Sequence, residues 1–220
     1  RFYQASSSEM YGETKSKLKN EETCFHPVSP YAVAKTYAYW MVRLYRDAYK
    51  IHASNGILFN HESPLRGLEF VTRKISNGVA KISLGLSKNL ILGNLTAKRD
   101  WGYAPDFVEG MWLMLQQKTS DDYVLATNEV HSVKDFVKEA CNVAGISTSK
   151  IKSNKDNMRP FDIKSLQGSF SKAQKKLGWK PKIKFKNLVK IMVEEDINRW
   201  QSWLKKEYQP WDAAISGEDS

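Results

Sequence analysis

The sequence predicts an α/β protein, because strand-like runs alternate with helical segments along most of its 220 residues. Residues 1–5 and 51–59 are apolar-rich runs of strand length, and the segment 30–50 between them has good helix formers and no interior Gly. Further along, the apolar residues of 133–141 recur at the spacing of one helix face. This order of elements favours a parallel sheet covered by helices.

The helix between the first two strands is expected to run from Pro30 to about Lys50. Ser29 is a good N-cap, and Pro30 suits the first helical position. The apolar side of this helix is predicted to carry Tyr37, Trp40, Met41 and Leu44, with Arg43, Arg46 and Asp47 toward water.

The remaining elements follow from apolar spacing, caps and turn residues. The expected strands are 51–59 (interrupted by Gly56), 89–92 and 123–126, the expected helices are 70–84, 105–115, one from 133 to about 145, 171–177 and 185–204, and the expected loops are 60–67 and 93–102. Ser132 and Asp135 have the spacing of a capping box at the start of the helix from 133.

Composition restricts the function classes. Lys+Arg 34 against Asp+Glu 24 gives a net charge of +10, which suits a nucleic acid, an anionic membrane or an anionic small molecule. The sequence contains neither a nucleic-acid-binding motif nor an apolar run of membrane-spanning length, so we expect an anionic small molecule and a cytoplasmic location. Two cysteines are too few for a disulfide framework, and His61 has no metal-ligand companions at suitable spacing, so no metal is expected.

Tyr31 and Lys35 form the first candidate catalytic pair. They are i and i+4 near the start of the predicted helix, so both lie on one face. An ammonium beside a phenol favours the phenolate, which allows the tyrosine to act as a base. A Tyr-x-x-x-Lys spacing also occurs by chance in helices, with the tyrosine packed and the lysine solvated.

A hydroxyl cluster and a carboxylate precede this pair. Residues 6–12 read Ser-Ser-Ser-Glu-Met-Tyr-Gly and follow the first strand directly. In open α/β sheets, ligands bind at the carboxyl ends of the strands. Ser7 and Glu9 are therefore candidate site residues, although a polar turn with an ordinary helix charge would have the same composition.

These motifs, in this order, resemble the extended short-chain dehydrogenases/reductases that act on nucleotide sugars. The strings NHESP (60–64) and GNLTAKRDWG (93–102) narrow the resemblance to the GDP-mannose 4,6-dehydratase family, over residues 1 to about 193. The resemblance implies the C-terminal part of a Rossmann-like parallel-sheet domain and a smaller mixed α/β substrate-binding domain. It also implies NADP as cofactor and a homo-oligomer, either a dimer or a tetramer.

The activity implied by the resemblance is that of a hydro-lyase, which converts GDP-D-mannose to GDP-4-dehydro-6-deoxy-D-mannose for the synthesis of GDP-fucose and related deoxyhexoses. Tyr31 would take the C4 hydroxyl proton, Lys35 would support Tyr31 and hold the nicotinamide ribose, and Glu9 would be the base at C5. Ser7 would hydrogen-bond the C4 oxygen, in place of the family's usual threonine.

The resemblance assigns binding residues as well. His61 and Arg66 match residues that contact NADP, and Leu65 stands where many members have a second arginine. The candidate substrate contacts from the resemblance are Asn60, Arg99, Arg159 and Asp162; Asp162 replaces the family's glutamate. Lys74 is a further candidate substrate contact, because a lysine in the first turn of the expected helix 70–84 could meet a phosphate. Arg99 and Arg159 would contact the diphosphate, whereas an ordinary surface charge is the alternative for each of these cations.

The sequence contains no glycine-rich dinucleotide fingerprint, so we expect that fingerprint upstream and read this chain as the C-terminal part of a longer enzyme. Residues 1–62 are assigned to the cofactor domain, 63–205 mainly to the substrate domain with segments returning to the first, and 206–220 to a tail. Two alternatives stay open: another nucleotide-sugar epimerase or dehydratase, and a truncated inactive paralogue that acts through subunit contacts.

Overall fold

The computed structural model describes residues 1–14, 16–154, 163 and 165–207. Arg159, Asp162 and the part of the expected tail from residue 208 onward lie outside the described residues. The described chain forms two compact units. The first comprises Arg1–Glu62, Ala97–His131 and the described residues from Ile163 to Phe185, and the second comprises the described residues of 63–96, 132–154 and 186–207.

Strands and helices alternate as the sequence predicts, and the α/β class is confirmed. The strands are β1 (Phe2–Ser7), β2 (Ala53–Leu58), β3 (Asn60–Glu62), β4 (Leu90–Leu92), β5 (Lys98–Arg99), β6 (Trp101–Tyr103), β7 (Tyr123–Leu125), β8 (His131–Ser132), β9 (Ile151–Ser153) and β10 (Ser165–Leu166). The helices are α1 (Pro30–Tyr49), α2 (Val71–Ser83), α3 (Ala104–Gln116), α4 (Val133–Val143), α5 (Ser171–Leu177) and α6 (Phe185–Leu204).

A parallel sheet with the strand order β1–β2–β7 forms the centre of the first unit. Ser7 lies opposite Leu58, and Leu58 lies opposite Leu125, so the chain leaves all three strands at the same edge. Every residue of β2 is buried, as expected for an interior parallel strand. This edge is where an open α/β sheet binds its ligands.

Successive side chains of the sheet point to opposite faces, and each face has its own core. Ile57 and Val124 pack on the α1 side in a cluster that includes Met10, Tyr11, Tyr39, Phe59 and Leu166. Leu58 and Leu125 pack on the other side in a cluster that includes Phe107, Met114, Ala173, Leu177 and Trp179. The two buried faces hold the sheet edge in place.

The prediction that Gly56 interrupts β2 is wrong, because the strand is continuous from Ala53 to Leu58. The glycine makes room for a neighbour: a Cβ at Gly56 would lie 2.6 Å from the hydroxyl of Tyr3 on β1. Two predicted loops also contain strands. Residues 60–67 begin with β3, and residues 93–102 include β5 and part of β6, which pairs with β3 in parallel.

The predicted orientation of α1 is wrong as well. Its fully buried residues are Ala32, Tyr39 and Val42. Three of the side chains expected on the apolar side are exposed instead: Tyr37, Trp40 and Leu44. Arg46, expected in water, donates to both carboxylate oxygens of Asp122 at 2.8 and 3.0 Å. The helix therefore docks through a polar contact and leaves an apolar face exposed.

The second unit has a helical core and a two-stranded parallel sheet formed by β4 and β9. Helices α2 and α4 pack against each other, and α4 begins with the predicted capping box between Ser132 and Asp135. Cys141 on α4 is buried. No helix among the described residues is long and apolar enough to cross a membrane.

Candidate active site at the edge of the parallel sheet

Ser7 and Glu9 lie where β1 ends. Ser7 is buried, and its Oγ accepts a hydrogen bond from the Glu9 backbone N–H at 3.2 Å, which caps a short 3₁₀ turn over Ser8–Tyr11. Gly12 ends the turn at φ +52°, and a Cβ there would lie only 1.8 Å from the carbonyl oxygen of His26. The turn thus fixes the backbone that carries the partly exposed Glu9 carboxylate.

Tyr31 and Lys35 lie on the first turns of α1, as predicted. The side chain of Ser29 accepts from the N–H of Ala32 at 3.1 Å and so fixes the helix start. Tyr31 is 55% exposed, and the Lys35 ammonium lies 5.6 Å from its ring centre. Lys35 Nζ also donates to the carbonyl oxygen of Ala5 on β1 at 2.8 Å. This bond ties the Tyr31/Lys35 helix to the strand that leads into Ser7.

Asn60 and His61 follow β2 at the same edge. Asn60 pairs with Trp101 of β6, and His61 pairs with Gly102. The carbonyl oxygen of Phe59 lies 2.8 Å from His61 Nδ1, which places the proton on that nitrogen. The imidazole also stacks on Phe107, with ring centres 5.3 Å apart. Both residues are partly exposed.

Arg99 lies two residues before Trp101, the strand partner of Asn60. Its Nη1 donates to the carbonyl oxygens of Ile163 at 2.6 Å and of Lys98 at 2.9 Å. These bonds fix one side of the guanidinium. The Arg99 side chain is thus held by backbone carbonyl oxygens.

A buried carboxylate next to Arg99 was not singled out from the sequence. Asp100 accepts from the backbone N–H and the hydroxyl of Thr127, at 2.8 and 2.7 Å, and from the N–H of Gly168 at 3.2 Å. Burial raises the pKa of Asp100 to about 7, although these hydrogen bonds act in the opposite direction. The side chain joins three chain segments around the Arg99 strand.

A second buried network attaches α1 to the sheet. The Asp122 carboxylate, just before β7, accepts from Arg46, from Asn55 Nδ2 at 2.9 Å and from the Tyr39 hydroxyl at 3.1 Å. Burial alone would raise the pKa of Asp122, but these hydrogen bonds and the charge of Arg46 outweigh it and hold the pKa below its ordinary value. Only a three-dimensional contact could reveal this network, because Tyr39 and Asp122 are 83 residues apart.

Arg66 and Lys74 belong to the second unit. The candidate residues at the sheet edge belong to the first unit: Ser7, Glu9, Tyr31, Lys35, Asn60 and His61. Arg66 Cζ lies 3.5 Å from the ring centre of Phe70, and Lys74 is exposed on α2. The neighbour of Lys74, Arg73, is buried and bonded to Asp196. Among the described residues, no cluster of His, Cys, Asp and Glu could hold a metal ion.

The fold is shared with two solved structures that contain a nicotinamide nucleotide. The RMD protein of Pseudomonas aeruginosa, complexed with NADPH, superposes with a TM-score of 0.82 at 21% identity, over 90% of this chain and 66% of that one. The dTDP-glucose 4,6-dehydratase of Bacillus anthracis, in complex with NAD, gives 0.79 at 21% identity, over 95% and 64%. The class of fold is therefore the α/β fold with a Rossmann-like parallel sheet that these two structures share.

Closer relatives narrow the class. A sequence profile of the GDP-mannose 4,6 dehydratase family matches residues 1–192. The chain is 51% identical to GDP-mannose 4,6 dehydratase 1 of Arabidopsis thaliana and 49% identical to the GDP-mannose 4,6 dehydratase of Homo sapiens. The chain belongs to the GDP-mannose 4,6 dehydratase family, and the resemblance seen in its motifs is confirmed. It spans 55% and 58% of the lengths of these two relatives, with 90% of its own residues matched.

Proposed function

We propose that the intact protein is an NADP-dependent GDP-mannose 4,6-dehydratase, a lyase that converts GDP-D-mannose to GDP-4-dehydro-6-deoxy-D-mannose. One observation carries the proposal: the bond from Lys35 to Ala5 joins the Tyr31/Lys35 helix to the strand that presents Ser7 and Glu9. A hydroxyl, a carboxylate, a phenol and an ammonium thus share one sheet edge. The family membership supplies the substrate class.

The residues at this edge fit a nicotinamide nucleotide. An ammonium has three N–H donors, and Lys35 uses one of them on Ala5, so further donors can meet the hydroxyls of a ribose. Tyr31 is exposed enough to reach a ligand. The bound nucleotide would supply the hydride acceptor for C4 and return the hydride to C6. We assign NADP rather than NAD as the cofactor because His61 and Arg66 match residues that contact NADP in the resembling enzymes.

In the proposed reaction, Ser7 hydrogen-bonds the C4 oxygen of the mannose, and Tyr31 takes the C4 hydroxyl proton. The ketone formed at C4 acidifies the C5–H bond. Glu9 then removes the C5 proton and delivers a proton to the C6 oxygen, which leaves as water. The 3₁₀ turn capped by Ser7 holds Glu9 in place for this transfer, and a fixed base needs no reorganisation.

The substrate's diphosphate is assigned to Arg99 and Arg159. Backbone carbonyl oxygens bind Nη1 of Arg99 and so help to fix the direction of its guanidinium, whose planar fork matches the geometry of phosphate oxygens. Asn60, Lys74 and Asp162 remain proposed substrate contacts.

Isotope transfer tests the proposal in the intact protein. GDP-mannose with deuterium at C4 should yield a product that has lost one water and carries the deuterium at C6, detected by mass spectrometry and NMR. In ²H₂O, solvent deuterium should also enter at C5. A matched Glu9→Gln protein should form the dehydrated product at least about a hundredfold more slowly.

The same experiment separates the alternatives. A C4 epimerase needs no base at C5, so its product would keep the mass of the substrate and the deuterium at C4. An inactive paralogue that acts through subunit contacts would leave the substrate unchanged with NADP⁺ present. Either outcome would contradict the dehydratase proposal.

We also infer that the protein forms a homo-oligomer through α1. Val33, Tyr37, Trp40 and Leu44 recur at helical spacing and are 53–67% exposed. A contiguous exposed apolar face on a helix is typical of an interface. Sedimentation of the intact protein should show a dimer or tetramer, and Trp40→Glu should shift it toward the monomer. An unchanged association state for this variant would place the interface elsewhere. The cytoplasmic location stays a prediction.

A further inference from the structure

The turn that carries Arg66 is closed by its own backbone and by a serine. The Arg66 N–H donates to the carbonyl oxygen of Ser63 at 3.0 Å, and the Leu65 N–H donates to Ser63 Oγ at 3.1 Å. We call residues 63–66 the Arg66 turn. These two bonds satisfy N–H groups of the turn and leave the carbonyl oxygens of Pro64 and Arg66 to other donors.

A buried guanidinium supplies those donors. Arg73 Nη1 donates to the carbonyl oxygen of Pro64 at 2.5 Å and to that of Arg66 at 3.1 Å. Arg199 Nη1 donates to the Pro64 carbonyl oxygen as well, at 2.6 Å. Two cations from different helices therefore bind carbonyl oxygens of this four-residue turn. Arg73 donates to two of these oxygens, those of Pro64 and Arg66.

Arg73 is itself fixed in direction. Its Nη2 lies 2.7 Å from Asp196 Oδ1, and its Nε donates to both oxygens of the same carboxylate at 2.9 and 3.0 Å. Ser76 donates to Asp196 Oδ2 from one turn further along α2. Arg73 is 9% exposed and Asp196 is 1% exposed, so water competes little for these bonds. A guanidinium held by one edge presents its remaining N–H groups in a fixed direction.

We propose that Arg73, held by Asp196, is a positioning residue that fixes the Arg66 turn and so sets where Arg66 meets a bound nicotinamide nucleotide. This inference rests on the proposed cofactor role of Arg66. The Arg66 guanidinium already has one restraint, since its Cζ lies 3.5 Å from the Phe70 ring centre. Arg73 fixes the backbone from which that side chain departs.

Lysine at position 73 is the informative change. Arg73→Lys keeps a cation beside Asp196, but an ammonium lacks the planar fork that binds the carboxylate and two carbonyl oxygens together. In the intact protein, we expect Arg73→Lys to weaken NADP⁺ binding about tenfold, the effect of losing one hydrogen bond to a charged group. Turnover at saturating NADP⁺ and the affinity for GDP should not change. Amide hydrogen exchange at Leu65 and Arg66 should become faster.

Two further variants keep the test decisive. Asp196→Asn is isosteric and weakens the fixation of Arg73 from the opposite side, so we expect the same effects on NADP⁺ binding and on amide hydrogen exchange. This variant takes the place of Arg73→Lys in the test if Arg73→Lys does not fold. Ile75 lies on the same helix and is fully buried, so Ile75→Val creates a small packing defect in the core. This substitution removes no hydrogen-bonding group and leaves the Arg73 side chain in place. It should lower the melting temperature without changing NADP⁺ binding.

The possible failures can be told apart. If Arg66→Ala leaves NADP⁺ binding intact, the proposed cofactor role of Arg66 is wrong. If Arg66→Ala weakens binding but Arg73→Lys and Asp196→Asn do not, the positioning role of Arg73 is wrong. If Ile75→Val weakens NADP⁺ binding as much as Arg73→Lys does, the effect is a general loss of stability and the inference fails.

Discussion

The sheet edge of the first unit and the Arg66 turn of the second hold their functional side chains in opposite ways. Tyr31 is 55% exposed, and Glu9 is carried by a capped backbone turn. Arg73 and Asp196 are buried and bonded to each other and to the turn. A group that must exchange protons with a substrate needs free hydrogen-bonding capacity, whereas a positioning residue uses its capacity within the protein. Substitutions at the edge should therefore affect rate, and substitutions in buried networks should affect stability or affinity.

The largest expected effect is on turnover at the sheet edge. Glu9→Gln keeps the size of the side chain and removes the base, so kcat should fall by about 10²- to 10⁴-fold. Binding of GDP-mannose should stay near the parent value, because the lost interaction acts only in the transition state. Steady-state kinetics and calorimetry of the intact protein measure both. Turnover within a factor of a few of the parent value would show that Glu9 is not the base at C5.

The role of Tyr31 can be tested against a control substitution at Tyr37, another exposed tyrosine of α1. Tyr31→Phe should abolish oxidation at C4, so the absorbance of NADPH should not appear even transiently after mixing with GDP-mannose. Tyr37 is 67% exposed on α1 and has no proposed catalytic role, so Tyr37→Phe should leave the reaction unchanged. Equal effects of the two substitutions would argue for a structural role of the phenols.

Asp122 tests whether a buried network in the first unit behaves like the one around Arg73. Removing its carboxylate with Asp122→Ala leaves Arg46 unpaired and should lower the free energy of unfolding by about 3–5 kcal/mol. The folded-state pKa of Asp122 lies below its ordinary value, so its stabilisation is present above about pH 4 and is lost as the pH falls through the folded-state pKa.

Denaturant unfolding of the parent and of Asp122→Asn from pH 2 to 7 measures that dependence. The difference in free energy of unfolding between the two proteins should be constant at neutral pH and should shrink in acid. A difference that does not depend on pH would mean that the charge of Asp122 contributes nothing to stability.

The comparison also explains what could be read from the sequence. The placement of Ser7 and Glu9 after a strand, and of Tyr31 and Lys35 on the first turns of a helix, was predictable because strand ends, caps and i, i+4 spacing are local features. The buried face of α1 was not. The apolar pattern of α1 favoured burial of Tyr37, Trp40 and Leu44. Tyr39 is buried instead, and its hydroxyl donates a hydrogen bond to Asp122, which belongs to a distant segment of the chain.

The same limit applies to the basic residues of α2. Arg73 and Lys74 are neighbours, and the sequence analysis named only Lys74 as a ligand contact although both were expected in the first turn of a helix. The partner that buries Arg73 is Asp196, which lies 123 residues away. Local spacing cannot rank two adjacent cations when a long-range carboxylate decides which of them is buried. Whether Lys74 contacts a phosphate stays a prediction.

A smaller effect is expected at Arg99, which is intermediate between the two kinds of region because it is partly exposed and partly held. Arg99→Ala should weaken the binding of GDP-mannose and of GDP alike, each by about tenfold, because the proposed contact is to phosphate. Arg99→Lys should restore only part of the affinity, since an ammonium cannot reproduce a bidentate contact. Titration calorimetry with both ligands measures this. Unchanged affinity for GDP in Arg99→Ala would assign the diphosphate to other residues.

The smallest effect is expected at a helix start that includes no proposed site residue. Ser132 caps α4: its Oγ accepts from the Asp135 N–H at 3.1 Å, and the Asp135 carboxylate accepts from the Ser132 N–H at 2.8 Å. Ser132→Ala should lower the free energy of unfolding by about 1 kcal/mol, the usual cost of losing an N-cap side chain. It should leave NADP⁺ affinity, GDP affinity and kcat unchanged, because neither Ser132 nor Asp135 is a proposed site residue. A loss of NADP⁺ affinity in Ser132→Ala would mean that any small loss of stability in the second unit loosens the cofactor contact, and the distinction between positioning residues and ordinary stabilising residues would then fail.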